Sequence, residues 1–189
     1  MSIFYKKRKT KRRGFTLVES LIAITILMIS VVAPIKLAND GVVYSTISEQ
    51  EIIAYYLAQD GIEYIINRKM GNRVRSDDML NGLDSCVISG GKYGCVVDSA
   101  NNLNAALEEC LNQTCDTKGK MFYHSNGGYY DHSSNNGGAS SIYRRYIKIF
   151  TEQSYNGSVN AFRVESIVNW TDAFGDEREY KLMTRLFAW

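Results

Sequence analysis

The sequence predicts an α+β fold in which a long N-terminal α-helix packs on a small antiparallel β-sheet head. Three observations predict it. An uncharged apolar run at 21–35 directly follows a basic segment, a helical repeat of apolar residues continues to about residue 70, and the last third alternates polar and apolar residues as strands do. A length of 189 residues suits one domain with an accessory segment.

The charge of the chain is unevenly distributed. Seven of its 22 basic residues lie in the first thirteen positions, and the formal net charge is +2. Without these seven, 15 basic residues remain against 20 acidic ones, a side-chain charge of −5. Proteins that bind nucleic acid usually carry a basic surface and a high pI, so this composition argues against such binding by the bulk of the chain.

The N-terminal segment has the charge pattern of a membrane anchor. Lys and Arg before an apolar run hold that end in the cytoplasm, which places the rest of the chain outside. Residues 15–35 are about long enough to cross a bilayer as a helix. No Ala-x-Ala-like site follows the run, so we expect the apolar segment to stay in the mature protein. An uncleaved single-pass anchor is the alternative.

The stretch Arg13-Gly14-Phe15-Thr16-Leu17-Val18-Glu19 closely resembles the prepilin leader of type IV pilins and type II secretion pseudopilins. The resemblance implies that a prepilin peptidase cuts between Gly14 and Phe15 and that Phe15 is then N-methylated. An ionised group in hydrocarbon costs about 2.5–3.5 kcal/mol on insertion scales. We therefore expect Glu19 to pair with the terminal amine of a neighbouring subunit and so to guide subunit docking.

Pro34 lies inside the helical pattern and removes one backbone donor, so a kink or local melting is expected there. The alternative is that the helix ends at Pro34. Beyond it, apolar residues recur on one face as far as residue 70, where Gly71-Asn72 suggests a stop. The apolar positions of that face are Ile47, Ala54, Ala58, Ile62 and Ile65.

Four cysteines in an exported chain suggest disulfides, with buried thiols as the alternative. Residues 86–89 and 93–97 are predicted to be two strands of a hairpin around Gly90-Gly91, and 104–110 a short helical turn. The local pairing is preferred, but four cysteines allow three pairings. The preferred disulfides are Cys86–Cys95 and Cys110–Cys115.

The remainder of the head is predicted to be a loop followed by a β-meander. Residues 124–141 are rich in Gly, Asn and Ser, which indicates a loop. Strands are predicted at 142–150, 162–170 and 180–186, with the second half of the helix covering their apolar face. Two groups of residues contain possible metal ligands, but their spacing matches no recognised site. We predict a solvated loop for His124, Asp131 and His132 and a charged turn for Asp172, Asp176 and Glu177.

The resemblance implies a division of the chain into a basic leader at 1–14, a transmembrane and filament-core helix at 15–37, an amphipathic half at 38–70 and an extracytoplasmic β-rich head at 71–189. It implies a minor pilin or pilin-like structural subunit of a type IV filament. The alternatives are a type II secretion pseudopilin, or a pilus-associated adhesin or DNA-uptake subunit whose tip would be the Tyr- and Gly-rich segment 122–143.

The expected partners are the prepilin peptidase, other pilins or pseudopilins, the pilus assembly machinery and the membrane, with no nucleic acid outside the DNA-uptake alternative. The expected location is the bacterial cytoplasmic membrane and then the pilus or cell surface. No phosphate-binding loop, dinucleotide fingerprint, zinc-protease motif or hydrolase elbow occurs in the sequence. We therefore expect no enzyme activity, no cofactor and no metal.

Overall fold

A computed structural model describes residues 14, 16–98, 107–111, 114–132, 138–153 and 159–187 of the chain. These residues form an α+β fold with a long N-terminal helix and an antiparallel sheet, as predicted. The chain divides into two compact units, Met1–Tyr44 and Ser45–Trp189.

Helix α1 spans Leu17–Arg75 and supplies all the secondary structure described in the first unit. Its side chains from Leu17 to Val42 are exposed, including every large apolar one. Helical structure continues through Pro34, so the alternative that the helix ends there is wrong.

The C-terminus of α1 lies at Arg75 and not at the predicted Met70. Asn72 is not part of a stop signal; it is buried, and its side-chain amide donates to the carbonyls of Met79 and Asn81. The helix ends at Arg75 because the next residue, Ser76, has a left-handed φ of 58°. The Ser76 N–H donates to the Arg73 carbonyl and the Asp77 N–H to the Asn72 carbonyl, the hydrogen bonds of a Schellman motif.

The second unit is built on seven strands within the described residues: β1 (Lys92–Val96), β2 (Glu108–Leu111), β3 (Lys120–His124), β4 (Tyr129–Asp131), β5 (Ala139–Gln153), β6 (Val159–Thr171) and β7 (Glu177–Phe187). Strand β5 is central. One of its edges pairs with β6, which pairs with β7. Its other edge pairs with β1 and β3, which pair in turn with β2 and β4. A short helix, α2 (Cys115–Lys118), precedes β3.

The β5–β6–β7 meander confirms the predicted strands of the last third and extends each of them. The part of α1 within this unit covers one face of the meander. The apolar helix face predicted from periodicity is confirmed, since Ile47 is half-buried and its other four residues are buried: Ala54, Ala58, Ile62 and Ile65. The buried helix residues pack with Ile147, Val164 and Val168 of the sheet, among others.

Three local predictions for the head are wrong. The predicted strand 86–89 is a 3-10 turn, Asp84–Cys86, followed by an isolated bridge from Val87 to Ile149, so no hairpin forms with β1. The predicted helical turn at 104–110 contains β2 from Glu108 onward, and 104–106 lie outside the described residues. The predicted loop 124–141 contains β4 and the first residues of β5, because β4 pairs with β3 as a hairpin.

Candidate functional site

The exposed N-terminal end of α1 is the first candidate site. Thr16 directly precedes the helix, and its Oγ1 accepts a hydrogen bond from the Glu19 N–H at 3.3 Å, as an N-cap threonine does. The Ser20 N–H donates to the Thr16 carbonyl at 3.2 Å. This cap fixes the first turn and places Glu19 within it, where a carboxylate also interacts favourably with the helix dipole. Gly14 is exposed, and Phe15 lies outside the described residues.

Glu19 is an isolated negative charge. Its carboxylate has no ion pair or hydrogen bond with the described part of the chain, and the next charged residue along α1 is Lys36, about 25 Å further at 1.5 Å per residue. Such a group can accept a hydrogen bond from an incoming cation. In an apolar surrounding, an unpaired carboxylate is costly, so a cation from another molecule would be bound strongly there.

The surface around Glu19 is apolar and leaves few polar groups unsatisfied. Two hydroxyls within the run bond back to their own helix: Thr25 Oγ1 donates to the Ile22 carbonyl and Ser30 Oγ to the Leu27 carbonyl, each at 2.8 Å. Among the described helices, α1 is the one long and apolar enough to cross a membrane, and its most apolar stretch is not buried. This surface suits contact with lipid or with other apolar helices.

Residues 9–33 match the family model described as a prokaryotic N-terminal methylation motif. The chain carries the signal motif of type IV pilin-like proteins. The motif covers Gly14, Phe15 and Glu19 and ends one residue before Pro34. No curated protein and no solved structure was found to match the chain.

The pilin-type motif implies processing by prepilin peptidase and assembly with other pilins. Together with the exposed apolar helix, it indicates a membrane-anchored subunit of a pilus or surface filament with a structural role. The match stops within the anchor, so the head must be understood from its own contacts.

Two disulfides cross-link the β1 side of the head. Cys86 bonds to Cys95 and Cys110 to Cys115, the local pairing preferred from the sequence. All four residues are fully buried. The first bridge ties the 3-10 turn to β1, and the second ties β2 to the start of α2. All four cysteines are in disulfides and no free thiol remains, so none of them is available as a nucleophile or a metal ligand.

His124 is the last residue of β3 and does not lie in a solvated loop, and His132 directly follows β4. His124 is 5% exposed, and its Nε2 lies 2.9 Å from Oδ1 of the equally buried Asp131. His132 Nδ1 donates to the Lys120 carbonyl at 3.1 Å. Burial, and then the positive charge of Arg145, lower the pKa of His132 to about 4, so its ring is neutral at pH 7. The described residues hold no group of three or more potential ligands that could bind a metal.

Asp172 organises the β6–β7 turn and does not form a calcium site with its neighbours. Its carboxylate accepts hydrogen bonds from the N–H groups of Phe174 and Asp176 and from Arg178 Nε, at 2.9–3.0 Å. Burial raises the pKa of Asp172, but the hydrogen bonds from Arg178 and the two N–H groups outweigh it and hold the pKa below its ordinary value. Both of its oxygens already accept hydrogen bonds from the turn and from Arg178, as expected of a charged turn.

Arg145 is a structural residue that the sequence reading missed. It is 1% exposed on β5, and its guanidinium donates to the Leu57 carbonyl at 3.0 Å, to Asp60 and to the Val97 carbonyl at 2.8 Å. It thus joins α1, β5 and the segment after β1. Strand alternation could have found it, because Arg145 has the same parity as the inward-facing Tyr143 and Ile147.

Proposed function

We propose that the protein is a minor pilin, a low-abundance structural subunit of a type IV filament. The observation that carries this proposal is the methylation motif on an exposed apolar helix with one isolated carboxylate in its first turn. The peptidase cuts between Gly14 and Phe15, the new amine on Phe15 is methylated, and the chain waits in the membrane as a single-pass protein with its head outside. The leader then comprises residues 1–14, the filament-core segment 15–37, the amphipathic half 38–70 and the head 71–189.

Glu19 selects the docking position of a new subunit in this proposal. Cleavage leaves a positive amine on Phe15, four residues from Glu19, and neighbouring anchors bring the amine of one subunit to the carboxylate of another. Two opposite charges stabilise each other strongly only where water is excluded, as among bundled apolar helices. Pro34 adds a bend, because the helix lacks one backbone hydrogen bond there.

The cleavage step is tested by N-terminal peptide analysis of the membrane fraction, which should find methylated Phe15 as the first residue. A Gly14→Ala variant should accumulate with its leader attached. A Cβ at Gly14 would meet nothing within 4 Å, so such a defect would come from peptidase recognition and not from misfolding. Gly41→Ala is the matched control, since Gly41 lies on α1, away from the cleavage site, with equally open space. A mature protein that begins at Met1 or Ser2 would refute the proposal.

The docking role is tested by Glu19→Ala. The variant should insert in the membrane and fold its head as the native chain does, but enter sheared filaments at a level reduced by about tenfold or more, since loss of a charged pair costs several kcal/mol. Ser20→Ala is the matched control on the same helical turn. Equal recovery of Glu19→Ala and native protein in filaments would show that the carboxylate has no such role.

The minor-subunit assignment rests on the size and irregular head of the chain, and it is distinguished from a pseudopilin by where the protein is found. Quantitative mass spectrometry of sheared surface pili should detect it at a small fraction of the most abundant pilin. Absence from pili, together with loss of protein secretion on deletion of the gene, would favour the type II secretion alternative.

A further inference from the structure

The outer face of the meander, opposite α1, contains a polar cavity of about 250 Å³. Its floor is a row of residues paired across three strands: Arg144 on β5 pairs with Asn169 on β6, which pairs with Glu179 on β7. Residues paired in this way point to the same face of a sheet. Glu177 of β7 lines one side of the cavity and Asp116 of α2 lines another.

Several polar groups of this cavity lack partners within the described part of the chain. The Arg144 guanidinium makes no hydrogen bond or ion pair there, and neither does the Glu177 carboxylate. Asn169 Oδ1 is a buried acceptor without a donor, while its Nδ2 makes only a long contact of 3.5 Å to Asp116. Buried polar groups are normally hydrogen-bonded, so an unpaired acceptor in a cavity indicates a missing donor.

The mixture of donors and acceptors restricts the chemistry of the ligand. A phosphate or carboxylate is an anion, and the three carboxylates around the cavity outnumber its two guanidiniums and would repel it. An ammonium group would be attracted by the carboxylates, but it only donates hydrogen bonds, so it would leave the Arg144 guanidinium unsatisfied. Hydroxyl groups both donate and accept, and they carry no charge. Adjacent hydroxyls on one molecule can therefore satisfy Arg144, Asn169 Oδ1 and the carboxylates together.

We propose that this cavity binds a saccharide, with Arg144 and Glu179 contacting neighbouring hydroxyls and Asn169 Oδ1 accepting from one of them. The cavity approaches the lower end of the volumes of small-molecule sites and has the few convergent polar groups that such sites use for specificity. The site lies on strands β5, β6 and β7 and on helix α2, and it does not include the N-terminal motif. It is therefore independent of filament assembly.

The test uses the full chain in a zwitterionic detergent without a sugar headgroup, because a glycoside detergent would compete for the cavity. Glucose, galactose, mannose, N-acetylglucosamine and N-acetylgalactosamine are added singly as probes, and binding is detected by saturation-transfer NMR. At least one should bind with a Kd of about 1 mM or tighter, a weak affinity typical of few contacts. Methylammonium chloride and sodium phosphate serve as the cationic and anionic probes.

Two variants locate the binding. Arg144→Ala and Glu179→Ala should each weaken it by about tenfold or more, because each removes a hydrogen bond from a charged group. Both residues are exposed, so neither change should unfold the head. Met183→Ala is the control, an exposed position on β7 outside the cavity. The proposal is overturned if no saccharide binds, if binding survives both variants, or if methylammonium or phosphate binds in place of the sugars.

Discussion

Replacing Gly61 with alanine tests how closely α1 lies on the sheet. Gly61 is buried, and a Cβ added to it would lie 2.7 Å from Ser166 Oγ and 3.2 Å from Ile147 Cδ1. The first distance is well inside van der Waals contact, so the helix or β6 must move. The hydrophobic pattern alone gives no hint of this, because a glycine within a helix only lowers helical propensity.

The expected magnitude follows from two opposing effects. Overpacking a close-packed interface costs about 1–3 kcal/mol, whereas Gly→Ala inside a helix gains up to about 1 kcal/mol. Gly61→Ala should therefore lower the free energy of unfolding by about 1–2 kcal/mol. Ser166 Oγ is buried without a hydrogen-bond partner, so Ser166→Ala alone should be neutral or slightly stabilising. Combined with Ser166→Ala, the Gly61→Ala change should cost much less.

A double-mutant cycle measures this coupling. The four proteins are unfolded with urea in detergent micelles, and tryptophan fluorescence reports on the head, since Trp170 is buried there. A favourable coupling energy of about 1 kcal/mol or more is expected between the two alanines, as for residues in contact. Gly41→Ala should cause no loss, because its Cβ would meet nothing. Additive effects in the cycle would mean that Gly61 does not lie against Ser166 and that α1 does not pack closely on β6 at this point.

Three further changes probe the polar contacts of the head. Arg145→Met should lower the free energy of unfolding by about 2–4 kcal/mol in urea titrations, because buried carbonyls lose a charged donor; an unchanged midpoint would contradict this. Because the pKa of His132 is lowered from 6.5 to about 4, its neutral ring is no burden on the fold above pH 6.5, and protonation of the unfolded chain lowers the free energy of unfolding as the pH drops toward 4, by at most about 3 kcal/mol. His132→Asn should remove that pH dependence in thermal melts. The lowered pKa of Asp172 has its effect at more acidic pH. The stability that this carboxylate contributes is present above about pH 4 and is lost as the pH falls through its folded pKa. Asp172→Asn should therefore lower the melting temperature at pH 7 and flatten the acid limb, whereas a parallel shift at all pH values would show that ionisation is irrelevant.

The anchor could be read from the sequence because its chemistry is local. Gly14, Phe15 and Glu19 lie within six residues, and the surface that follows is apolar on all sides, so no tertiary contact is needed to interpret them. The meander could also be predicted from the sequence, since the alternation of polar and apolar residues along β6 marks the two faces of that strand without knowledge of the strands that it pairs with.

The β1 side of the head was harder to predict from the sequence because its strands pair with residues that are distant along the chain. Gly90-Gly91 suggests a hairpin, yet Cys95 of β1 pairs with Glu109 and Ile147, and these distant partners replace the local strand around Cys86. Strand β4 was hidden in the same way, since its three residues gain strand structure only by pairing with β3. The cavity row depends on the register between β5, β6 and β7, which the pattern along a single strand does not reveal.

The place of Glu19 in the first turn of α1 suggests how one residue can be tolerated in a membrane and still select a partner. In a bilayer, a carboxylate at the very end of a spanning helix lies near the interface, where water and flexible headgroups lower the cost of its charge. In the proposed filament core, the same end would be surrounded by other apolar helices, and that hydration would be lost. Under the proposed docking role, the cost of the unpaired charge would therefore rise at the moment of assembly, and pairing with a terminal amine would offset it only at the correct axial position. A carboxylate deeper in the run would be penalised in both environments, so it would hinder insertion without adding discrimination.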